Sequence, residues 1–198
     1  TKDTPLDPTP DQAKAIAVIH AAVDARAFQP VLVHGVTGSG KTEIYLQAIE
    51  RVIARGDQAI VLVPEIALTP QMVSRFRARF ESVAVLHSHL TEGQRGVMWH
   101  RIRTGESKVV VGARSAVFAP ARRLGLIVVD EEHEPSFKQD KVPRYHARDV
   151  AVMRGKIQGA VVLLGSATPC LESYRNAQTG KYARVVLSVR VEGRPMPP

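Results

Sequence analysis

"VLVHGVTGSGKTEIYLQAI", residues 31–49, decides the architecture. A Val/Leu-rich run enters a glycine-rich turn, and a helical pattern leaves it. The turn itself, GVTGSGKT at residues 35–42, matches G-x-x-x-x-G-K-[S/T] at every defined position. Its glycines allow backbone N–H groups to converge on one oxyanion, and the start of the following helix adds partial positive charge. Gly35, Val36, Thr37, Gly38, Ser39, Gly40, Lys41 and Thr42 are therefore the expected phosphate cradle of ATP. Lys41 is suited to the β- and γ-phosphates, and the Thr42 hydroxyl to Mg²⁺. A Gly/Ser-rich surface turn is the alternative, but it explains neither the strand before the motif nor the helix after it.

Outward from this turn, similar apolar runs recur at residues 59–64, 83–88, 108–113, 126–130, 160–167 and 183–189. They are rich in Val, Ile and Leu and barely alternate with polar residues, the signature of strands buried on both faces. Helical patterns separate most of them. In KTEIYLQAIERVIARG, residues 41–56, Ile44, Leu46, Ile49, Val52 and Ile53 approximate one face and Gly56 is placed as a stop. In TEGQRGVMWHRIRTG, residues 91–105, Thr91 opens a capping box, and Trp99 lies at helical spacing with Ile102 and reads as core, with a base-stacking platform as the alternative. Strands alternating with helices specify a parallel α/β sheet whose ligands sit at the carboxyl ends of the strands. The loops after Val33, Val63, Val111, Val129 and Leu164 thus form the working edge.

The bulk properties narrow the class. The 198 residues suffice for one domain with a sizeable core. No apolar run approaches the ~18 residues of a membrane span, and the N-terminus shows no signal-peptide pattern, so no membrane partner is expected. One cysteine, Cys170, excludes an internal disulfide and an internal cysteine zinc cluster, in keeping with a reducing cytoplasmic setting. A formal charge of +8 favours a polyanionic partner without identifying one. His87 and His89 suggest a metal pair, but no neighbouring Cys or carboxylate completes it.

A phosphate cradle needs an acid at the end of another central strand. Asp130 ends the run LIVVD and is suited to holding Mg²⁺. Glu131, the next residue, is suited to positioning and deprotonating the attacking water. Lys41, Asp130 and Glu131 are the expected catalytic set.

DEEH (residues 130–133) after an apolar strand, followed by GSATP (165–169), resembles the DExH helicases of superfamily 2. HGVTGSGKTEIYL, LVPEIALTPQ, VVVGARSAVFAP, VVDEEHEPSFKQ…PRYHARDVAVMR and LLGSATPCLESY narrow the resemblance to the primosomal replication-restart helicases. It extends over nearly the whole chain. The fold implied is an α/β, RecA-like P-loop NTPase domain, with a mostly parallel central sheet and helices on both faces.

The resemblance also implies roles for single residues. A glutamine ahead of the first core strand reads adenine in such helicases, and Gln12 is the candidate; Thr9 and Gln12 equally form a capping box with Pro10 at the first helical position. Thr69, in the segment 64–71, resembles a contact to the nucleic-acid backbone, with capping of the helix that follows as the alternative. Arg114 and Ser115 stand at a similar edge, where Arg114 either binds phosphate or bridges to the DEEH acids. Ser166 and Thr168 resemble the motif coupling nucleotide state to DNA engagement, through hydroxyl bonds to the acids; Thr168 alternatively caps a helix. Phe137, Lys138, Arg144 and Tyr145 combine rings and cations, as single-stranded DNA binding requires, and resemble the aromatic-rich loop that senses DNA. Packing of Phe137 and Tyr145 as local core is the other reading.

A motor of this class has two lobes, the second supplying arginine fingers to the γ-phosphate. Residues 9–190 are expected to be lobe 1, with residues 1–8 a lead-in segment and 191–198 the start of an interlobe linker. The second lobe, an N-terminal DNA-binding region and a zinc-binding segment are expected outside this chain, and zinc only there. The implied function is ATP-driven 3′-to-5′ DNA unwinding in replication restart, in a bacterial, nucleoid-associated setting. The implied partners are single-stranded and forked DNA, primosome proteins and single-stranded-DNA-binding protein. The lobe alone is expected to be monomeric and to bind nucleotide with little turnover. The alternatives are a RecG-like superfamily-2 translocase and a nucleotide-gated DNA-binding module without catalysis.

Overall fold

The computed structural model describes residues 7–188. Residues 1–6 and 189–198 lie outside it, and with them most of the lead-in segment, the last residue of the 183–189 strand and the interlobe linker. Seven strands form one parallel sheet: β1 (Gln29–Gly35), β2 (Gln58–Leu62), β3 (Val83–Leu86), β4 (Val109–Gly112), β5 (Leu124–Val129), β8 (Val161–Ser166) and β9 (Ala183–Leu187). Their spatial order is β3-β4-β2-β5-β8-β1-β9. A two-stranded antiparallel hairpin, β6 (Lys138–Gln139) and β7 (Tyr145–His146), stands apart where the sequence suggested only a loop.

The near-continuous apolar strands are explained by two cores, one on each face. Val31 and Val33 of β1 point to one, Leu32 to the other; Val61 of β2 goes to the first, Ile60 and Leu62 to the second. Helices α1 (Pro10–Asp24), α2 (Lys41–Ala54) and α3 (Pro70–Arg79) cover the first face. Helices α4 (Glu92–Thr104) and α5 (Ala147–Gln158) cover the second, and α6 (Leu171–Gln178) contributes Ala177 to that side. Arg79 ties α3 to α2, bonding Glu43 at 3.0 Å and Glu50 at 2.5 Å.

Local chemistry sets the helix ends. Thr9–Gln12 and Thr91–Gln94 close complete capping boxes on α1 and α4, and Pro10 opens α1. Gly56 follows α2 with a positive φ of 86°. Two expectations fail here. Trp99 is not core: it is 36% exposed, and Ile102 is the buried residue of α4. Thr168 does not cap α6; Cys170 does, its Sγ facing the Ser173 N–H. Helix α6 begins at Leu171, too far along for Thr168 to reach its first turn.

Because all seven strands run the same way, their carboxyl ends share one edge. The turn after β1 and the acids after β5 meet there, separated only by β8.

Candidate nucleotide site and nucleic-acid interface

The glycine-rich turn has the shape its sequence demands. Gly38 and Gly40 adopt φ of 81° and 83°, which L side chains rarely take, and a Cβ on Gly35 would lie 2.6 Å from Ser39 Oγ. Lys41, at the start of α2, is buried and donates from Nζ to the carbonyls of Gly35 (2.7 Å) and Val36 (3.4 Å). Its ammonium is thus curled over the loop rather than paired with an acid. Ser39 Oγ is buried without a hydrogen-bond partner. An unsatisfied buried hydroxyl and an ammonium held only by loop carbonyls fit an anionic group entering the cradle. Gln12 does two things at once. It completes the α1 capping box, and its Nε2 donates to the Ser39 carbonyl at 3.1 Å, fixing the loop from outside.

The acids divide by environment. Asp130 Oδ1 accepts from Tyr45 Oη at 3.0 Å, and Tyr45 is fully buried in α2. Burial, then the charge of Glu131, pushes the Asp130 carboxyl up to about 6; the Tyr45 hydroxyl and Lys41 pull the other way. Such a carboxylate is short of positive charge, which a divalent cation supplies. Glu131 sits at φ 50°, a left-handed conformation unusual for a side-chain-bearing residue, and its carboxylate stays partly exposed. Thr42, Lys41, Asp130 and Glu131 are consequently gathered on one edge with donor chemistry suited to Mg·ATP. Gly165 makes room for the arrangement: a Cβ there would fall 1.7 Å from Tyr45 Oη.

Glu132 is different. It is wholly buried and accepts from the Cys170 N–H (2.8 Å) and Ser173 Oγ (2.9 Å), with Arg148 Nη1 at 3.5 Å. It anchors the start of α6 to the end of β5. Ser166, expected to bond the acids, bonds His133 instead: Oγ lies 2.6 Å from Nδ1, and Oγ also accepts from the Thr168 N–H. His133 Nδ1 is also 3.6 Å from Glu131 Oε2, so the hydroxyl and the acid face the same ring nitrogen.

Tyr45, Gly165, Glu132 and His133 were not among the expected site residues. A tyrosine on the buried face of a helix was the readable signal, because its hydroxyl must find a partner. Nothing local in the sequence marks Glu132 as the buried acid of the pair.

The expected nucleic-acid residues lie further along the same edge. A groove of about 440 Å³ is lined by Pro64, Glu65, His87, Ser88, Arg95, Arg114, Ser115 and Phe137 among others. Thr69 is exposed and caps α3 through its hydroxyl, 3.2 Å from the Met72 N–H. Arg114 makes no bridge to the DEEH acids; Nη1 donates to the carbonyls of Lys138 (2.9 Å) and Ser136 (3.4 Å), clamping the hairpin. Ser115 is exposed beside it. Phe137, expected on a DNA-facing loop, is 1% exposed and belongs to the second core. Tyr145 is half-buried, edge-on to the Phe118 ring at 5.0 Å. Lys138 and Arg144 project outward, Lys138 3.2 Å from Asp140 and Arg144 onto the Asp140 carbonyl.

The family model of the DEAD/DEAH box helicases matches residues 9–177. The chain belongs to the DEAD/DEAH box helicase family. Among curated relatives of this helicase domain, it is 54% identical over 197 residues to the Replication restart protein PriA of Bacillus subtilis (strain 168), covering 99% of the chain and 24% of that protein. The PriA of Chlamydia pneumoniae is 51% identical, covering 94% of the chain and 25% of that protein. The helicase domain therefore spans about a quarter of the length of the curated relatives it matches. A solved structure of RecG bound to a three-way DNA junction superposes with a TM-score of 0.71 at 24% identity, covering 97% of this chain and 25% of that one. The helicase domain of Pyrococcus furiosus Hef gives 0.60 at 21%, covering 87% and 37%. These two likenesses establish the RecA-like fold.

Proposed function

We propose that this chain is the ATP-binding motor lobe of a 3′-to-5′ DNA helicase that acts in replication restart, with the longer protein's chemistry completed by a second lobe. The observation that carries the reading is the shared edge. The Lys41–Thr42 cradle and the Asp130–Glu131 acids flank β8, and Tyr45 of the cradle's helix bonds Asp130 directly. Mg²⁺, when bound, neutralises phosphate charge and polarises the γ-phosphoryl group. The chain's own residues do the rest. Lys41 exchanges its loop carbonyls for phosphate oxygens, and Thr42 and Asp130 hold the cation. Glu131 orients water and takes its proton. Gln12 is assigned to the adenine, a role in which its amide exchanges the Thr9 N–H and the Ser39 carbonyl for the base.

DNA is read by the adjoining groove and hairpin, with Thr69, Arg114, Ser115, Lys138, Arg144 and Tyr145 as contacts. Ser166 and Thr168 relay nucleotide state through His133. Single-stranded and forked DNA, primosome proteins and single-stranded-DNA-binding protein are the proposed partners, in the cytoplasm. The residues described include no helix long and apolar enough to cross a membrane.

For the 198 residues alone the proposal is nucleotide binding with little turnover, because the arginine fingers of such motors come from the second lobe. Calorimetric titration with Mg·ATP checks it. Binding by the chain, weakened tenfold or more by Lys41→Ala, is expected; equal binding by the variant rejects the site. ATPase and strand separation on forked DNA by the full-length protein, lost in Lys41→Ala, test the motor reading.

A further inference from the structure

Helix α4 carries two features that its own fold does not explain. The first is Trp99, the chain's only tryptophan, which stands 36% exposed. The second is Gly96, in the middle of a helix where glycine costs about 1 kcal/mol relative to alanine. A Cβ at Gly96, or at Gly93 one turn earlier, would meet nothing within 4 Å. No internal contact therefore requires either glycine. Glycine in a helix leaves its backbone open to the close approach of another molecule.

These residues line one stripe. Glu92, Arg95, Gly96, Trp99, His100 and Arg103 border an open groove of about 510 Å³. Arg95 and Arg103 lie four residues before and after Trp99, about 6 Å of axial rise on each side. A ring between two cations, with no side chain at Gly96 and Glu92 the one acid of the lining, suits a base flanked by phosphates. Charge agrees, since the chain as a whole carries +8. So does continuity. Arg95 also lines the groove at the carboxyl ends of the strands, and its Nη2 donates to the His87 carbonyl at 3.4 Å. The two grooves thus form one track across the sheet edge closed by β3.

We infer that the α4 stripe is a second contact surface for single-stranded nucleic acid, with Trp99 stacking on a base and Arg95 and Arg103 holding the phosphates beside it. The inference rests on the nucleic-acid reading proposed above and extends the path beyond the hairpin.

The lone tryptophan makes the test direct. The 198-residue chain is titrated with oligo(dT), and with heparin as a polyanion without bases, while Trp99 emission and the anisotropy of labelled oligonucleotide are followed. Saturable quenching by oligo(dT) but not by heparin is expected. Trp99→Ala, at an exposed site, is expected to keep the circular dichroism of the parent and to bind oligo(dT) roughly tenfold or more weakly. Trp99→Phe should recover part of that loss. Oligo(dT) binding that leaves Trp99 emission and the Trp99→Phe and Trp99→Ala affinities unchanged overturns the platform while leaving the groove reading intact. Equal quenching by heparin overturns stacking, and no oligo(dT) binding by any readout overturns both readings. Mg·ATP titration reports separately on the nucleotide site.

Discussion

The phenol oxygen of Tyr45 lies 3.0 Å from Oδ1 of Asp130, so the helix that begins at the phosphate cradle also holds the acid at the end of β5. The bond joins two strands' worth of function across β8. It exists only because β8 carries Gly165 just before its last residue, Ser166; any side chain at 165 would occupy the space of the tyrosine hydroxyl. Cradle, acid and the GSATP segment are therefore one mechanical unit.

Removing the phenol oxygen should loosen Asp130 without disturbing packing. Tyr45→Phe retains the ring in the core but takes away a hydrogen bond to a carboxylate, worth about 1.5–3 kcal/mol when the acceptor is charged. The same bond holds the Asp130 carboxyl down, so its titration should move above the value of about 6. Carboxyl-resolved NMR titration of the two proteins checks the direction. A carboxyl that titrates unchanged or lower in Tyr45→Phe refutes the assignment.

Gly165→Ala should be severe for an identifiable reason. Its Cβ would fall 1.7 Å from Tyr45 Oη and 2.9 Å from Cζ. A loss of about 3 kcal/mol or more is expected, in the upper range for overpacking. Combining it with Tyr45→Phe removes the worst contact, so the double variant should be more stable than Gly165→Ala alone. Chemical denaturation of all four proteins completes the cycle; simple additivity would show that the clash lies elsewhere.

Asp130 also predicts a pH dependence. Its folded-state value is raised from 3.8 to about 6, so the native chain holds an extra proton between those limits. Stability from this group therefore falls as pH rises from about 4 to about 6, and the full penalty, about 3 kcal/mol, persists above that. Asp130→Asn should match the parent near pH 4 and exceed its stability by up to that amount at pH 8 without Mg²⁺. Denaturation midpoints at the two pH values test the sign. A variant less stable than the parent at pH 8 contradicts it.

The sequence showed the sheet and the cradle because their signals are local. Residues 35–42 announce a turn by composition, and strands buried on both faces need no partner to be recognised as apolar. The ends of α1 and α4 were legible for the same reason, since Thr9–Gln12 and Thr91–Gln94 are complete within four residues. What remained hidden depends on residues distant in the chain. Glu131 and Glu132 are chemically identical neighbours, and only the Cys170 N–H, Ser173 and Arg148 make one of them structural. Arg114 could not be assigned to hairpin carbonyls before the hairpin existed. Trp99 shows the limit of periodicity: its spacing with Ile102 is helical, yet Ile102 is buried and Trp99 stays 36% exposed.

Phe137 and Tyr145 now call for different experiments. Phe137 is 1% exposed in the second core, so Phe137→Ala should destabilise the chain by about 3–5 kcal/mol and lower its melting temperature. Any loss of DNA response in that variant would follow from unfolding and say nothing about sensing. Tyr145 is half-buried against Phe118 at the hairpin's end, and Lys138 and Arg144 project from the same hairpin. Tyr145→Ala with Lys138→Ala and Arg144→Ala should cost less stability than Phe137→Ala alone. The triple variant should leave Mg·ATP binding intact and reduce stimulation of the full-length ATPase by single-stranded DNA tenfold or more. Thermal melts of both variants separate the two roles, and full DNA stimulation in the triple variant would remove the hairpin from the sensing path. In that case the track through Arg95 and Trp99 on α4 would have to carry the DNA signal without it.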